Sequence, residues 1–297
     1  MYKNFFGLKE SPFGLTPNTA LYYGLPPHEE ALLVLKTALE NGEGFIKITG
    51  EVGTGKTMVL RLFIGSLPKD YELVYIPNPV LDPIELKFSI ARELAIDTSN
   101  SNNISILDEI NQKLLDLSKN GKKVVLVIDE AQGLMDETLE TIRLLGNLET
   151  ERSKLLQIVL FGQPELDEKL SKKEFRQLRQ RISFSYSLRP LNFNETRAYL
   201  NYRMTAAGYK GKELFSSSVS KTIFKSSYGI PRIINILAHK CLVLAYGYGV
   251  YNISNKIVKD AIKDTEAASQ QSTNISNVIL IFAIVVLVAL IVALLYY

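Results

Sequence analysis

The sequence predicts an α/β fold in which helices cover a five-stranded parallel sheet. Short apolar runs rich in β-branched residues alternate with stretches of helical spacing, and one of these runs leads directly into a glycine-rich loop. Residues 124–128 are the clearest run, since five apolar residues in a row are typical of a strand covered on both faces. Strands that alternate with helices indicate βαβ units and therefore a parallel sheet.

Apolar periodicity places the elements in order along the chain. The predicted strands are 45–49, 73–76, 124–128, 157–161 and 183–188. The predicted helices among them are 28–41, 58–63, 83–95, 105–119, 136–149 and 172–180. Beyond residue 190 the spacing is helical only, and the predicted helices there are 194–207, 216–226, 231–247 and 254–265.

These changes of pattern predict a chain with several distinct parts. An N-terminal segment rich in aromatic residues, glycine and proline has no helical period and should be ordered but irregular. A short polar stretch near the other end is typical of a linker. The predicted parts are the N-terminal segment 1–27, the α/β domain 28–190, an all-α domain 191–266, the linker 267–277 and an apolar stretch 278–297.

The apolar stretch 278–297 contains twenty residues without a charged or strongly polar side chain. As a helix it would span roughly 30 Å, the thickness of the hydrocarbon layer of a bilayer. It lacks the polar face of an amphipathic helix, so a transmembrane helix is predicted, with a buried core helix as the alternative. Because Lys256, Lys259 and Lys263 precede the stretch and no basic residue follows it, the preceding domains should face the cytoplasm and the C-terminus the opposite side.

Composition excludes several kinds of site. A net charge of +3 is too small to argue for nucleic-acid binding by itself. The single cysteine, Cys241, excludes an intramolecular disulfide and lies in an apolar run typical of a core. With only two histidines besides, a zinc site of the Cys/His type cannot be assembled. Any metal must therefore have oxygen ligands, which suits Mg²⁺.

Residues 50–57, GEVGTGKT, match the phosphate-binding pattern G-x-x-x-x-G-K-[ST]. Glycines allow successive backbone N–H groups to converge on the phosphates of a nucleoside triphosphate. In this pattern Lys56 places a positive charge near the β- and γ-phosphates, and the Thr57 hydroxyl is a ligand for Mg²⁺. The predicted nucleotide-binding residues are Gly50, Glu51, Val52, Gly53, Thr54, Gly55, Lys56, Thr57 and Met58.

An acidic pair follows the third predicted strand, at the edge of a parallel sheet where ligands bind. We assign Asp129 to the magnesium ion and Glu130 to polarisation of the attacking water, with an acidic helix cap as the alternative. Gln163 ends the fourth strand and is a candidate sensor of the γ-phosphate, although turn chemistry also explains it. Asn78 ends the second strand, where it would either restrain Glu130 in an idle state or serve as a turn residue.

Arginines supply the remaining candidates. Arg176, Arg179 and Arg181 are candidates for an arginine finger, which would reach the nucleotide, in many cases that of a neighbouring subunit; a solvated basic surface is the alternative. Arg181 is our first choice because it immediately precedes a strand. Arg232 follows Pro231 at the start of a predicted helix, where a cation opposes the helix dipole; an anion opposite, the γ-phosphate, would explain its position.

Together these parts resemble the AAA+ fold, in which a helical lid follows the α/β domain. More narrowly, the chain resembles the general secretion pathway protein A family, and within it the MSHA (type IV pilus) biogenesis ATPase. The segments that carry this resemblance are 2–17, 44–57, 127–132, 144–166, 178–183 and 229–237.

The resemblance implies ATP binding and hydrolysis with Mg²⁺, homo-oligomers, and a role in assembling or positioning a type IV pilus or type II secretion complex in the bacterial envelope. Combined with the apolar stretch, it predicts a single-pass protein of the bacterial inner membrane with a periplasmic C-terminus. One alternative is an AAA+ regulator that acts on DNA, as the transposition proteins do. Another is a nucleotide-gated scaffold with little turnover.

Overall fold

The computed structural model describes residues 1–16, 19, 22–99, 105–150 and 153–265. The chain divides into two compact units. One is Gly24–Arg189, and the other combines Met1–Tyr23 with the chain from Pro190 onward. The first 23 residues are thus grouped with the helical part of the chain, whereas the sequence pattern treats 1–27 as a segment of its own.

The unit Gly24–Arg189 contains the strands and the helices between them. Helices are numbered in chain order, and the first of them, the short helix α1 (Tyr2–Phe5), belongs to the other unit. The described strands of the unit Gly24–Arg189 are β1 (Phe45–Gly50), β2 (Tyr71–Ile76), β3 (Lys123–Ile128), β4 (Leu156–Gly162) and β5 (Ile182–Leu188). Its described α-helices are α2 (Pro26–Glu40), α3 (Lys56–Ser66), α4 (Pro83–Glu93), α5 (Ser105–Lys119), α6 (Asp136–Leu145), α7 (Pro164–Ser171) and α8 (Arg176–Arg181).

The strands form one parallel sheet in the order β2-β3-β4-β1-β5, which confirms the five-stranded parallel sheet predicted from the sequence. β1 lies between β4 and β5, with Ile48 opposite Phe161 and Gly50 opposite Leu188. Since every strand runs the same way, the segments that follow β1, β3 and β4 leave from one edge of the sheet.

Apolar side chains cover both faces of the sheet. On one face, α4 to α7 bury residues such as Ile90 and Ile110 against Leu126 and Ile158. On the other, α2 and α3 bury Leu35 and Val59 against alternate residues of the same strands. All seven residues of β4 are buried. Burial on both faces explains why the central strands are continuous apolar runs rather than alternating ones.

The region after β4 differs from the prediction. α7 was not expected, and the predicted helix 172–180 is a 3₁₀ turn (Lys173–Phe175) followed by α8. α7 begins with Pro164 in its first turn, followed by Glu165 and Asp167. These are favourable helix-start residues, since proline lacks an N–H to leave unpaired and carboxylates stabilise the positive end of the helix dipole. Its eight residues are too few for a clear apolar period.

The second unit contains the remaining helices, and its described α-helices beyond α1 are α9 (Phe193–Ala206), α10 (Ser217–Ser227), α11 (Pro231–Gly247) and α12 (Asn255–Lys263). Asn192 and Glu195 form a capping box at the start of α9, while Ser216 and Ser254 cap α10 and α12. Cys241 is fully buried on α11, and burial raises the pKa of its thiol to about 12. The thiol is therefore a small apolar core group, as its position in the sequence predicts.

The N-terminal residues pack on the helices of this second unit. The Phe5 ring stacks on Tyr251 with centroids 4.1 Å apart. The buried Arg203 of α9 donates through Nε to the Pro12 carbonyl oxygen at 2.6 Å, and its guanidinium lies over the Tyr199 ring. A buried cation is stable only when hydrogen-bonded or paired, so these contacts tie residues 1–16 to α9.

The predicted location needs a correction. Within the described ranges, no helix is both long enough and apolar enough to cross a bilayer. The longest of them, α11, has 17 residues and carries Arg232, His239 and Lys240; it falls short of the about 20 apolar residues that a span requires. This finding contradicts the single-pass location in the inner membrane. The stretch 278–297, from which that location was predicted, lies outside the described residues.

Replacement of Arg203 tests the attachment of the N-terminal residues. Arg203→Met keeps much of the aliphatic volume but leaves the Pro12 carbonyl without its charged donor, so we expect a loss of about 2 kcal/mol in unfolding free energy. Backbone amides of residues 2–13 should also exchange hydrogen faster. Arg197→Met on the same helix is the control, because Arg197 forms an exposed ion pair with Glu213 and such pairs contribute little. Equal effects of both replacements would contradict this account.

Candidate phosphate-binding site

The loop between β1 and α3 has the backbone that a phosphate cradle requires. Gly53 and Gly55 have φ angles of 86° and 105°, which L side chains rarely adopt. Gly55 caps the N-terminus of α3, so the first N–H groups of that helix open toward the loop. A Cβ on Gly50 would lie 2.8 Å from the Leu188 Cβ of β5. Gly50 and Gly55, the two glycines of the pattern, are thus required by geometry, and Gly53 between them by its φ angle.

His28, to which sequence analysis gave no role, contacts the loop from α2. It lies in the first turn of α2, is buried, and its Nε2 is 2.8 Å from the Thr54 carbonyl oxygen. A Cβ on Gly55 would stand 2.4 Å from the same nitrogen. Burial lowers the pKa of His28, although the Thr54 carbonyl and Glu29 act to raise it. The imidazole therefore fills the space that Gly55 leaves. The signal in the sequence was a histidine within an otherwise apolar helix face.

Lys56 and Thr57 occupy the first turn of α3. The Lys56 ammonium is buried and donates to the Gly50 and Glu51 carbonyl oxygens at 2.6 and 3.2 Å. Burial lowers its pKa, while the nearby Glu130 and Asp129 act to raise it. Thr57 is exposed, so its hydroxyl is accessible to a ligand. These two side chains are where the motif predicts a phosphate contact and a metal ligand.

Asp129 and Glu130 lie at the same edge of the sheet, at the end of β3. The Asp129 side chain is buried and accepts from the Glu130 backbone N–H at 2.9 Å. Burial raises its pKa, and the negative charge of Glu130 raises it further, against the Glu130 N–H and the Lys56 charge. A carboxylate oxygen desolvated in this way suits a hard cation such as Mg²⁺.

Glu130 has a left-handed backbone, with φ 50° and ψ 39°. Its carboxylate Oε2 accepts from Gln132 Nε2 at 2.5 Å and from Gln163 Nε2 at 3.1 Å. Burial acts to raise the pKa of Glu130, but these two hydrogen bonds and the Lys56 charge outweigh it and the net shift is downward. The carboxylate is therefore ionised at neutral pH, the state that a base requires.

The structure brings Gln163 to Glu130, together with a residue that sequence analysis missed. Gln132 lies in the 3₁₀ turn Ala131–Gly133 and accepts from the Gln163 backbone N–H at 2.9 Å. The sequence did contain a signal for this residue, because a glutamine side chain lies two residues after Glu130. Asn78, by contrast, is exposed and accepts from the Val80 N–H at 3.3 Å, which is the turn role left open as an alternative.

Arg181 lies far from the loop within its own chain. It directly precedes Ile182, which pairs with Phe45 at the start of β1, whereas the loop follows Gly50 at the other end. The five intervening steps along β1 amount to roughly 17 Å. Arg181 donates to the Asn147 side-chain oxygen and is exposed, as are Arg176 and Arg179.

Arg232 is exposed in the first turn of α11, behind Pro231. It belongs to the helical unit, whereas the loop and the acidic pair belong to the unit Gly24–Arg189. A role for Arg232 at the γ-phosphate stays a prediction.

Comparison with known proteins agrees with this geometry. A family model described as an AAA domain matches residues 39–170. Over 290 residues the chain is 39% identical to General secretion pathway protein A of Aeromonas hydrophila, covering 97% of this chain and 53% of that protein. The chain thus spans about half the length of this curated relative.

Solved structures share the fold at low sequence identity. The Cdc6p protein of Pyrobaculum aerophilum superposes with a TM-score of 0.62 at 20% identity, over 84% of this chain and 70% of that one. The ORC2 protein of Aeropyrum pernix, solved with ADPNP and ADP, gives 0.59 at 16% identity over 88% and 74% of the two chains. The Thermotoga maritima RuvB branch-migration motor gives 0.54 at 18% identity, over 86% and 73%. At such identities the likeness shows the fold alone.

The parallel sheet, the phosphate loop and the AAA domain match define a P-loop protein of the AAA+ class. Within that class the chain is similar along nearly its whole length to General secretion pathway protein A, which confirms the resemblance drawn from its motifs. The narrower resemblance to the MSHA pilus ATPase stays a prediction.

The burial of His28 predicts a pH-dependent contribution to stability. Its folded pKa lies below the ordinary value of 6.5, so as the pH falls through that value the unfolded chain binds a proton that the folded chain does not, and stability decreases. His28→Asn should therefore lose less unfolding free energy than the wild type between about pH 7.5 and about pH 5.5 in urea titrations. Burial lowers the pKa of His239 as well, but His239 is less buried, so His239→Asn is the comparison variant and should reduce the pH dependence by a smaller amount. An unchanged pH dependence in His28→Asn would contradict a neutral buried imidazole.

Proposed function

We propose that this protein binds ATP with Mg²⁺ at the loop after β1 and hydrolyses it to ADP and phosphate. The observation that carries the proposal is the meeting of three elements at one edge of the sheet: the glycine loop, the buried Lys56, and the acidic pair Asp129-Glu130. The mutual electrostatic influence of Lys56, Asp129 and Glu130 supports their closeness. A structural cap would require neither a buried lysine nor a left-handed glutamate.

The residues present fit the nucleotide and its metal. The backbone N–H groups of residues 50–58 would hold the β- and γ-phosphates, with Lys56 neutralising their charge. Thr57 and Asp129 would hold Mg²⁺, which when bound neutralises charge that develops on the phosphate oxygens. A phosphate would replace the loop carbonyls as the partner of Lys56, because an anion is the stronger acceptor for an ammonium group.

Glu130 is the proposed base for the attacking water. Its pKa is lowered, so at neutral pH its carboxylate is ready to accept a hydrogen bond and then the proton from that water. Gln163, whose amide is bound to the same carboxylate, is the proposed sensor of the γ-phosphate state. Arg232 is proposed as a second cationic contact of the γ-phosphate, on the sequence argument given above.

Hydrolysis is proposed to take place in a homo-oligomer. Arg181 is exposed at the edge of the sheet opposite the loop, so as an arginine finger it would serve the nucleotide of a neighbouring subunit. The charge that it adds would stabilise the transition state for phosphoryl transfer.

The process served is proposed from the relative's name. Identity of 39% along nearly the whole chain to General secretion pathway protein A supports a role in bacterial secretion. The finer role, in which the protein assembles or positions a type II secretion complex or a type IV (MSHA-like) pilus in the envelope, is proposed from the resemblance of its motifs. The ATP cycle would drive that assembly by changing contacts with the proteins of the complex.

Two replacements separate binding from hydrolysis. Lys56→Ala removes the cation from the phosphates and should weaken ATP binding about 10- to 100-fold, as measured by titration calorimetry. Glu130→Gln keeps the shape and the loop, so it should bind ATP normally but release phosphate at least about 100-fold more slowly.

Equal phosphate release by wild type and Glu130→Gln would favour the scaffold with little turnover. The DNA-acting regulator would be favoured if DNA stimulates hydrolysis by the wild type while envelope proteins that co-purify with the chain do not. Unchanged ATP binding by Lys56→Ala would contradict the assignment of the loop.

A mixing experiment tests the role of Arg181. Alone, Arg181→Ala should bind ATP but turn over about 1,000-fold more slowly, and Lys56→Ala should be inactive. Mixed together they should recover part of the activity, because a Lys56→Ala subunit still offers Arg181 to the nucleotide of an Arg181→Ala neighbour. Arg176→Ala, on the same basic surface, is the control and should hydrolyse normally. An inactive mixture would contradict action between subunits.

A further inference from the structure

We propose that Gln132 is a positioning residue that fixes the Glu130 carboxylate for attack by water. The inference rests on the proposed function, in which Glu130 is the base. It adds a residue of the turn after β3 to the apparatus for hydrolysis, and it assigns that residue an action on Glu130 rather than on the nucleotide.

Gln132 joins the ends of two strands through one amide group. Its Nε2 donates to Glu130 Oε2 at 2.5 Å, while its Oε1 accepts from the Gln163 backbone N–H at 2.9 Å. Gln163 Nε2 completes the arrangement by donating to the same Glu130 oxygen at 3.1 Å. These three hydrogen bonds link Glu130, Gln132 and Gln163 in a ring that includes the Gln163 backbone N–H, and a displacement of the Glu130 carboxylate would break two of them.

The turn that carries Gln132 is itself held in place. Ala131 is fully buried, and Gly133 N–H donates to the Glu130 carbonyl oxygen at 2.8 Å. Just beyond the turn, the Lys169 ammonium of α7 donates to the Leu134 carbonyl oxygen and lies 2.9 Å from Asp136 Oδ1. The position of the Gln132 amide is therefore set by β3 on one side and α7 on the other.

The end of β4 leaves room for this amide. A Cβ on Gly162 would stand 3.3 Å from Gln132 Oε1 and 2.8 Å from the Leu166 Cδ2 of α7. The tightest contact of such a Cβ would be with Leu166, and it would also crowd Gln132 Oε1. Glycine at this position therefore leaves room for the Gln132 amide beside the Gln163 N–H.

The arrangement has a consequence for the attacking water. Both glutamine amides donate to Oε2, so neither of them occupies Oε1, the oxygen that would accept from the attacking water. Glu130 also has a strained left-handed backbone conformation. Such a conformation persists only while the surrounding contacts maintain it. Loss of the Gln132 amide should therefore allow the carboxylate to move, and small displacements of a catalytic group lower rates steeply.

The test compares two variants of nearly equal size. Gln132→Met removes both hydrogen bonds, and Gln132→Glu keeps an acceptor for Gln163 N–H but places an oxygen against Glu130. Both should lower kcat roughly 10- to 100-fold and leave the ATP dissociation constant within about twofold of the wild type. Gln112→Met is the matched control, since Gln112 also donates to a carboxylate, Asp116 at 3.1 Å, but on the exposed face of α5. It should have wild-type kcat.

A second readout needs neither nucleotide nor turnover. In the nucleotide-free full chain, Glu130→Ala removes the shared acceptor, so the side-chain NH₂ resonances of Gln132 and Gln163 should both shift in ¹H–¹⁵N spectra. Gln132→Met should shift the Gln163 backbone N–H resonance. The NH₂ resonance of Gln112 should stay where it is in both variants.

Turnover of Gln132→Met and Gln132→Glu at or above the wild-type rate would overturn the proposal, as would unmoved glutamine resonances in Glu130→Ala. A rise in turnover would show that the amide restrains Glu130 rather than positioning it. If Glu130→Gln itself hydrolyses ATP like the wild type, the proposed function fails and this inference with it. If Glu130→Gln is inactive while Gln132→Met and Gln132→Glu are fully active, only the role of Gln132 is wrong.

Discussion

The parallel alignment of β1 with its neighbours is the constraint on which the candidate site depends. Because β1 runs beside β4 and parallel to β3, the glycine loop, the acidic pair and Gln163 all emerge at one edge of the sheet. The same alignment places Arg181 at the other edge, next to the start of β1. Direction of the strands alone thus separates the groups that would serve a subunit's own nucleotide from the one that would serve a neighbour's.

Hydrogen bonding and burial then give similar residues different properties. Asp129 and Glu130 are adjacent carboxylates, yet burial raises the pKa of the first, while two amide donors and Lys56 lower that of the second. A desolvated oxygen suits a cation, and a hydrogen-bonded, ionised oxygen suits a water molecule. The difference follows from which neighbours each strand end supplies, not from the identity of the two side chains.

Sequence patterns could predict the sheet and the residues at its edge, because burial on both faces and phosphate binding each demand particular residue types at fixed spacing. They could not predict contacts between distant segments. His28 stands 26 residues before Thr54, and Gln132 is 31 residues before Gln163, so only the folded chain shows these pairs. The short α7 escaped because eight residues hold too little periodicity, even though Pro164 marks its start.

The left-handed backbone of Glu130 lowers the stability of the fold at a position where the proposed function requires a carboxylate. A glutamate in this conformation costs on the order of 1 kcal/mol relative to glycine or asparagine, which tolerate it more easily. Selection for heat resistance alone would therefore favour exchanging Glu130 for a smaller residue. If heat-adapted relatives of this protein keep Glu130, selection must act on the chemistry of its carboxylate. Relatives that have lost Glu130 would be expected to bind nucleotide without hydrolysing it.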